Sequence, residues 1–387
     1  MITIQQFGNQ SKRDKALLER FVDFHWQHYA QDPYYIPLLD YEYLGLGLLG
    51  ITGFFQAENP FFEHTDMVFF IAEKDGQMVG RCNAFVNHNH NRHWNDKVGF
   101  FGQFECIDDP EVAERLIDAA QVWLKEQGME KIRGPQNLPV NEATPGLLIE
   151  GYDTQPVIYY HYNKPYYQTL LSELKFETIK KVISWNIKVN LPMPEKLERV
   201  ANKVMERFEI KIESWGERSL KERKKEMYEI YNAAWEQNFG FVPFTQKELY
   251  TNIDDMQLIM NKDLFVFVYV KKECAAFFGA VPNISEMMVP MSFCKRCELL
   301  RAAKMLLLKN RVKGFRLGYM GVKPKFRRLG LDSVMLYHQK LYSQRHGYEY
   351  ADLGWVLEDN VLVNRVSEWM GGHQSKTYAI MEKTLDI

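Results

Sequence analysis

The chain has 387 residues, 46% of them hydrophobic and 25% charged, and carries a net charge of −2. This is the balance of an ordinary globular protein. It excludes collagen-like, coiled-coil and disordered classes, and it provides no global basic field for nucleic acid. No apolar run approaches the ~18 residues that a membrane helix needs. The first fifteen residues lack the apolar core of a secretory signal. Five cysteines in so long a chain make no disulfide framework, so a reducing cytoplasm is the expected location.

In chain order, residues 11–30 read as an amphipathic helix with Leu17, Leu18, Phe21, Val22, Phe24 and Trp26 on its apolar side. Strands at 67–72 and 78–86 flank a Lys74-Asp75-Gly76-Gln77 turn, which is a hairpin signal. A strand at 97–106 follows. Asp108-Asp109-Pro110 then opens a helix to about Gln127, with Gly128 beyond its end. Pro192 and Pro194 close the first half, so domains of 1–190 and 191–387 are expected. The second half reads as helices to about 258, strands at 264–270 and 274–281, a helical insertion at 284–312 and a strand at 314–322. A helix at 328–346, a strand at 348–356 and a helix at 361–370 complete it. Both halves run hairpin, strand, helix ended by Gly128 or Gly347, strand, so they read as diverged copies. The expected class is α/β (α+β), with mixed central sheets flanked by helices.

The segment carrying chemistry is Gly314–Leu336. Its strand turns through Lys323, Pro324, Arg327, Arg328, Leu329 and Gly330 into an apolar-periodic helix with Val334, Met335 and Leu336. A helix start presents free backbone N–H groups and the positive end of the helix dipole, which suit a pyrophosphate. Gly330 allows close approach, and Arg327 and Arg328 add charge. Here the chain resembles the GNAT acyltransferase superfamily, whose loop reads Arg/Gln-x-x-Gly-x-Gly/Ala. Arg327 and Gly330 fit that pattern, and Asp332 departs from it at the last position. Leu357-Glu358-Asp359-Asn360 and the helix to Gly371-Gly372 resemble the family's next motif, with Ser367 where many members carry a tyrosine acid. The whole chain, including Asn59-Pro60-Phe61-Phe62 and Ile132-Arg133-Gly134-Pro135, is similar to bacterial tandem GNAT-like proteins of unassigned acceptor.

The resemblance implies an acetyl- or longer acyl-coenzyme A co-substrate bound by Met320, Val322, Arg327, Arg328, Leu329, Gly330, Leu331, Asp332 and Asn360. The strands at 314–322 and 348–356 would splay, letting the pantetheine arm pair with strand backbone. A backbone N–H near Tyr319–Gly321 would stabilise the oxyanion. Glu358 or Asp359 would serve as base, and Tyr319 or Ser367 as proton donor. In the first half, Asp108, Asp109 and Glu111 stand where phosphates would have to bind. That copy therefore reads as degenerate for coenzyme A, supplying the acceptor side instead. Asn137, Asn141, Glu142 and Tyr159–Tyr162 line either an acceptor cleft or a loop satisfied by its own turns. Glu105 is a base or a capped carboxylate.

Other features carry less. His88, His90 and His93 match no zinc spacing and read as a loop, Cys294-Lys295-Arg296-Cys297 is a lone C-x-x-C, and no metal is expected. Residues 295–313 hold seven Lys and Arg against Glu298, interleaved with leucines. They make a basic amphipathic helix that rests on an anionic membrane or partner, packs as a lid, or is a plain surface helix. The expected function is acyl transfer from acyl-coenzyme A to a small-molecule amine, with no nucleic acid involved. The alternative is a non-catalytic ligand-binding or sensor protein on the same scaffold.

Overall fold

A computed structural model describes residues 1–47, 50–288 and 297–385. Chain contacts divide it into two compact units. One comprises Met1–Val182, Met288–Ala302 and Lys376–Ile387, and the other Ile183–Met287 and Ala303–Ser375. Two stretches from the C-terminal half of the sequence thus pack with the first unit.

The first unit opens with β1 (Ile2–Phe7), α1 (Lys12–His28) and α2 (Asp40–Leu44). There follow β2 (Thr65–Lys74), β3 (Gln77–Asn87), α3 (His88–Trp94), β4 (Val98–Cys106), α4 (Pro110–Glu126), β5 (Lys131–Gly134), β6 (Leu147–Glu150) and α5 (Tyr167–Glu173). β1 to β4 pair antiparallel in order, and β4 runs parallel to β5. α4 packs its Leu116, Ile117, Ala120 and Leu124 stripe onto the sheet, where Phe70, Cys82 and Ala84 face it. α1 contributes Phe21 to a ring cluster with Phe7, Phe55 and Phe69, the centroids lying 5.3–6.3 Å from Phe21. Edge-to-face rings at this spacing add to the burial of their area. The expected histidine loop is instead α3. The Asn87 side chain accepts the N–H of His90 and caps the turn, and His90 packs edge-on against Phe100.

β7 (Glu177–Lys188) crosses the division at 182/183. The second unit continues with α6 (Glu195–Arg207), β8 (Ile210–Ser214), α7 (Leu220–Ala234), α8 (Gln246–Met256), β9 (Phe265–Val270), β10 (Glu273–Pro282) and α9 (Ser285–Met288). Then come α10 (Glu298–Leu308), β11 (Gly314–Val322), α11 (Leu331–Arg345), β12 (Tyr350–Leu357) and α12 (Val361–Trp369). The last strand, β13 (His373–Thr384), pairs antiparallel with β5 and β6 through residues 377–384 of the first unit. Sheet order in the second unit is β12-β11-β10-β9-β8, with β11 and β12 parallel and the rest antiparallel. Each unit is therefore a mixed sheet flanked by helices. Of the expected C-x-x-C, Cys294 lies outside the described residues, and Cys297 immediately precedes α10.

A buried ionic knot ties α7 to β8 and β9. Arg223 is fully buried. It donates to Glu213 at 3.1 Å, Glu226 at 2.8 Å, the Tyr269 hydroxyl at 2.8 Å and the Ser214 carbonyl at 2.6 Å. Its guanidinium also lies over Phe267, 4.3 Å from the ring centroid. Removing one partner of such a network leaves buried charge uncompensated. Arg223→Ala is expected to lower stability by about 3–5 kcal/mol, measured by urea unfolding at neutral pH. A loss below about 1 kcal/mol would show that Arg218 and Lys211 alone neutralise Glu213.

Candidate active site

The two parallel strands of the second unit separate. β11 and β12 pair from Gly314–Tyr350 to Leu317–Leu353 and no further. Two local features cause this. On one side, β11 bulges at Gly318, which has no partner where the register with β10 shifts between Gly279 and Ala280. On the other, Gly354 takes a φ of 139°, which side-chain-bearing residues avoid, and the Arg316 Nε holds its carbonyl at 3.0 Å. Below the gap the pair is closed by buried Arg316 and Asp352, opposite each other in register, with Ser184 Oγ donating to Asp352 at 2.5 Å. Gly318–Val322 therefore have no strand on their β12 side among the described residues. That edge can pair with an extended amide-bearing chain.

The loop after β11 ends in a bare helix start. Arg328 sits in the left-handed region with φ 68° and Gly330 with φ 83°, so α11 begins at Leu331, three residues later than the sequence pattern indicates. Gly330 is the cap residue and supplies no side-chain hydrogen bond. A Cβ there would lie 3.0 Å from Val204 of α6. The first-turn N–H groups of Leu331 and Asp332 have no intrahelical partner by construction. Arg327 is exposed and donates to the Ala234 carbonyl at 2.9 Å, tying the loop to the end of α7. Arg328 is exposed and makes no ion pair among the described residues, whereas Lys323 is paired to Glu229 and Lys325 to Glu273. Asp332 is exposed in the first turn, where a carboxylate complements the same dipole an anion would use.

The remaining expected residues divide. Met320 and Val322 are half-buried on the open stretch of β11, and Leu329 is half-buried in the loop. Tyr319 is buried between Phe277 and Tyr231, with centroids at 6.1 and 6.2 Å. Glu358 and Asp359 are exposed beyond the end of β12. The Asn360 side chain accepts the Val363 N–H at 3.3 Å and caps α12. Ser367 is fully buried, and its hydroxyl donates to the Val363 carbonyl at 2.9 Å within α12.

The first unit has the same construction with both openings filled. β4 and β5 pair only from Val98–Lys131 to Phe100–Arg133. Beyond that point the chain itself fills the gap. The Gln136 N–H donates to the Phe101 carbonyl at 2.7 Å, and the Asn137 side chain accepts the Gln103 N–H at 2.6 Å. At the start of α4, Asp109 accepts the Glu111 N–H at 3.0 Å and pairs with Lys74 at 2.8 Å. Lys74 is the main cause holding the Asp109 carboxyl below its usual range. Asn137 is thus part of this plug, not an acceptor cleft.

Sequence reasoning undervalued a cluster around Glu105 on β4. Its Oε2 accepts hydroxyl hydrogen bonds from both Tyr29 and Tyr167 at 2.6 Å, and no protein hydrogen bond to Oε1 occurs among the described residues. The side chain is 11% exposed. The Tyr167 hydroxyl also accepts the Cys106 N–H at 3.0 Å, and it lies 2.8 Å from His28 Nε2. With the tyrosine proton committed to Glu105, His28 Nε2–H is the donor in that contact. Burial pushes His28 down to about 3, so its ring is neutral. Burial pushes Glu105 up to about 6, against the opposing charge of Arg81 and the two tyrosines. Tyr35 stacks on Tyr29 at 3.9 Å, and Tyr162 and the Lys164–Asp32 pair close the surroundings. Tyr29, Tyr35 and Tyr162 lie far from Glu105 in sequence, so no local signal gathers them.

Known structures of the same build cover the whole chain. It is similar to a tandem GNAT protein from the clavulanic acid biosynthesis pathway, with a TM-score of 0.56 at 10% identity over 100% of this chain and 99% of that one. It is also similar to a GCN5-related N-acetyltransferase from Sphaerobacter thermophilus, with a TM-score of 0.51 at 11% identity over 99% and 96%. The fold is that of the tandem GNAT proteins. In sequence, the chain is 30% identical to protein YghO of Escherichia coli (strain K12) over 384 residues, covering 96% of this chain and 94% of YghO. It therefore belongs to the YghO family. It is also 28% identical over 385 residues to the bacterial ceramide synthase of Caulobacter vibrioides, covering 96% and 95%. No family model matches the chain.

The Glu105 cluster has a thermodynamic signature. A carboxyl whose folded value, about 6, exceeds its ordinary 4.5 binds its proton more tightly in the folded state. Its stabilising contribution is complete below pH ~4.5 and disappears as pH rises through ~6. The change is roughly 2 kcal/mol at most. Glu105→Gln is expected to flatten the stability profile across that window, as read by urea unfolding at several pH values. An unchanged slope would place the titrating proton elsewhere.

Proposed function

We propose that this protein is an acyl-coenzyme A-dependent N-acyltransferase whose donor site is the open strand edge and bare helix start of the second unit. The observation that carries the reading is the contrast between the units. The same strand gap and helix start are filled by Gln136, Asn137 and Asp109 in one and left open in the other. Arg328 and the N–H groups at Leu331 and Asp332 would receive the pyrophosphate, with Arg327 fixing the loop. Met320 and Val322 would pair with the pantetheine amides. Asn360 acts indirectly, by fixing the start of α12.

The reaction needs a neutral amine to attack the thioester carbonyl. A C–N bond forms, the C–S bond breaks and the thiolate departs. A β11 backbone N–H near Tyr319–Gly321 would stabilise the oxyanion. Glu358 is the base we assign, and Tyr319 the proton donor, since the Ser367 hydroxyl is committed to Val363. A thiol of pKa ~8.5 asks little of that donor. For the acceptor we propose the amine of a long-chain amino alcohol. The support is the relative named a ceramide synthase, because a ceramide is the N-acyl derivative of such an amine.

Calorimetric titration with acetyl- and long-chain acyl-coenzyme A tests the donor site. Binding is expected, and Arg328→Glu is expected to weaken it by about tenfold or more. Gly354→Val should abolish it by forcing β12 off its path. Absence of binding by either donor would overturn the reading. For the acceptor, thiol release with a long-chain amino alcohol is expected to exceed release with a short-chain amine about tenfold, and equal rates would overturn that assignment. Asp332 at the helix start favours a second reading, ligand binding without chemistry. Donor binding with no thiol release across a panel of amines would support it.

A further inference from the structure

α10 is built inside out. Its buried face carries Arg301, 1% exposed, and Met305 one turn on. Arg301 donates to Glu298 at 2.6 Å and to the carbonyls of Pro37 at 2.5 Å and Leu38 at 3.4 Å. Its guanidinium also sits 5.0 Å from the centroid of the Trp26 ring. The opposite face carries leucines: Leu299 is 73% exposed, Leu307 81%, and Leu300 and Leu306 44% each. Leu299, Ala303 and Leu306 form one stripe at helical spacing, with Leu300 and Leu307 beside it. A surface helix ordinarily buries its leucines and exposes its arginine. Here the reverse holds because Glu298 and the carbonyls of Pro37 and Leu38 meet the arginine, which leaves the leucines facing out.

We propose that this leucine face seats on a lipid surface bearing anionic headgroups. Its charge selects that occupant. Lys304 and Arg311 form no ion pair among the described residues, and Lys309 donates only to the Leu258 carbonyl at 2.8 Å. Leu258 is itself exposed, extending the apolar surface. Lys313 is paired with Glu349. Glu298, the single acid of 298–313, is turned inward, accepting from Arg301 and from the Asp40 N–H at 2.7 Å. A two-fold pairing of this face with a second copy would need both signs of charge on the patch, and only cations are present. Apolar side chains beside unneutralised lysine and arginine are the composition of a helix lying in a membrane interface. No helix among the described residues is long and apolar enough to cross a membrane, so the contact is a surface one. The inference does not depend on the proposed reaction, although a lipid amine acceptor would give it a purpose.

The test is co-sedimentation of the full chain with vesicles of phosphatidylglycerol and phosphatidylcholine in equal parts, and with vesicles of phosphatidylcholine alone. Binding to the mixed vesicles is expected to exceed binding to the neutral ones by about tenfold and to weaken with salt. The double substitution Leu299→Glu and Leu307→Glu should abolish it, and Lys304→Glu with Arg311→Glu should reduce it about tenfold. Leu299, Leu307 and Arg311 are exposed and Lys304 is half-buried, and an unchanged thermal unfolding curve confirms that each variant folds. The proposal is overturned if the wild-type chain ignores both vesicle types, or if the leucine variant binds as well as wild type. It is equally overturned if the leucine variant changes a dimer to a monomer in gel filtration without altering sedimentation. Retained acyl-coenzyme A binding in the variants separates failure here from failure of the donor site.

Discussion

Buried backbone polar groups must find partners, and the consequences of this rule run through both units. When two parallel strands part, N–H and C=O groups on their facing edges lose their ladder. In the first unit the chain after β5 turns back and supplies the partners through Gln136 and Asn137. In the second, β12 turns away at Gly354 and nothing among the described residues replaces it beside Gly318–Val322. Such an edge is satisfied by water or by a ligand able to pair as a strand does.

The same logic applies to the helix that follows each parting strand. α4 begins with Asp109, which meets a free N–H and carries the negative charge that the dipole favours. α11 begins with Gly330, which has no side chain with which to do either. A capped start is worth about 1 kcal/mol of stability, so an uncapped one forgoes it. The two differences occur together: among the described residues the second unit leaves a strand edge and a helix start unfilled, and the first fills both.

Three buried charges mark the limits of this economy. Arg223 and Arg301 are stripped of water yet met by carboxylates and carbonyls at both terminal nitrogens, so each fixes local geometry: one ties a helix to strands, the other turns a helix over. Glu105 is met on one oxygen by two tyrosine hydroxyls, with no protein hydrogen bond to the other among the described residues, and burial raises its proton affinity.

Local patterns were sufficient for much of this protein. The helix over residues 12–28, the hairpin around Asp75-Gly76, the strand–loop–helix at 314–345 and the repeated order of the two halves follow from periodicity and turn residues, because those signals lie within a few positions of one another. The Arg327–Gly330 loop identified the class of fold for the same reason. The histidine segment 88–94 has the composition of a loop yet forms a helix, since its cap, Asn87, belongs to the end of a strand. What required tertiary structure was everything set by distant partners. The last strand pairs with β5 and β6, more than two hundred residues away in sequence. Glu105 is defined by tyrosines at 29 and 167, and Arg301 by carbonyls at 37 and 38. The leucines of α10 look like core residues in sequence, where their spacing is that of any amphipathic helix. Only the partners of Arg301 decide that the apolar face points outward, because a buried guanidinium must be satisfied before leucine can choose its side.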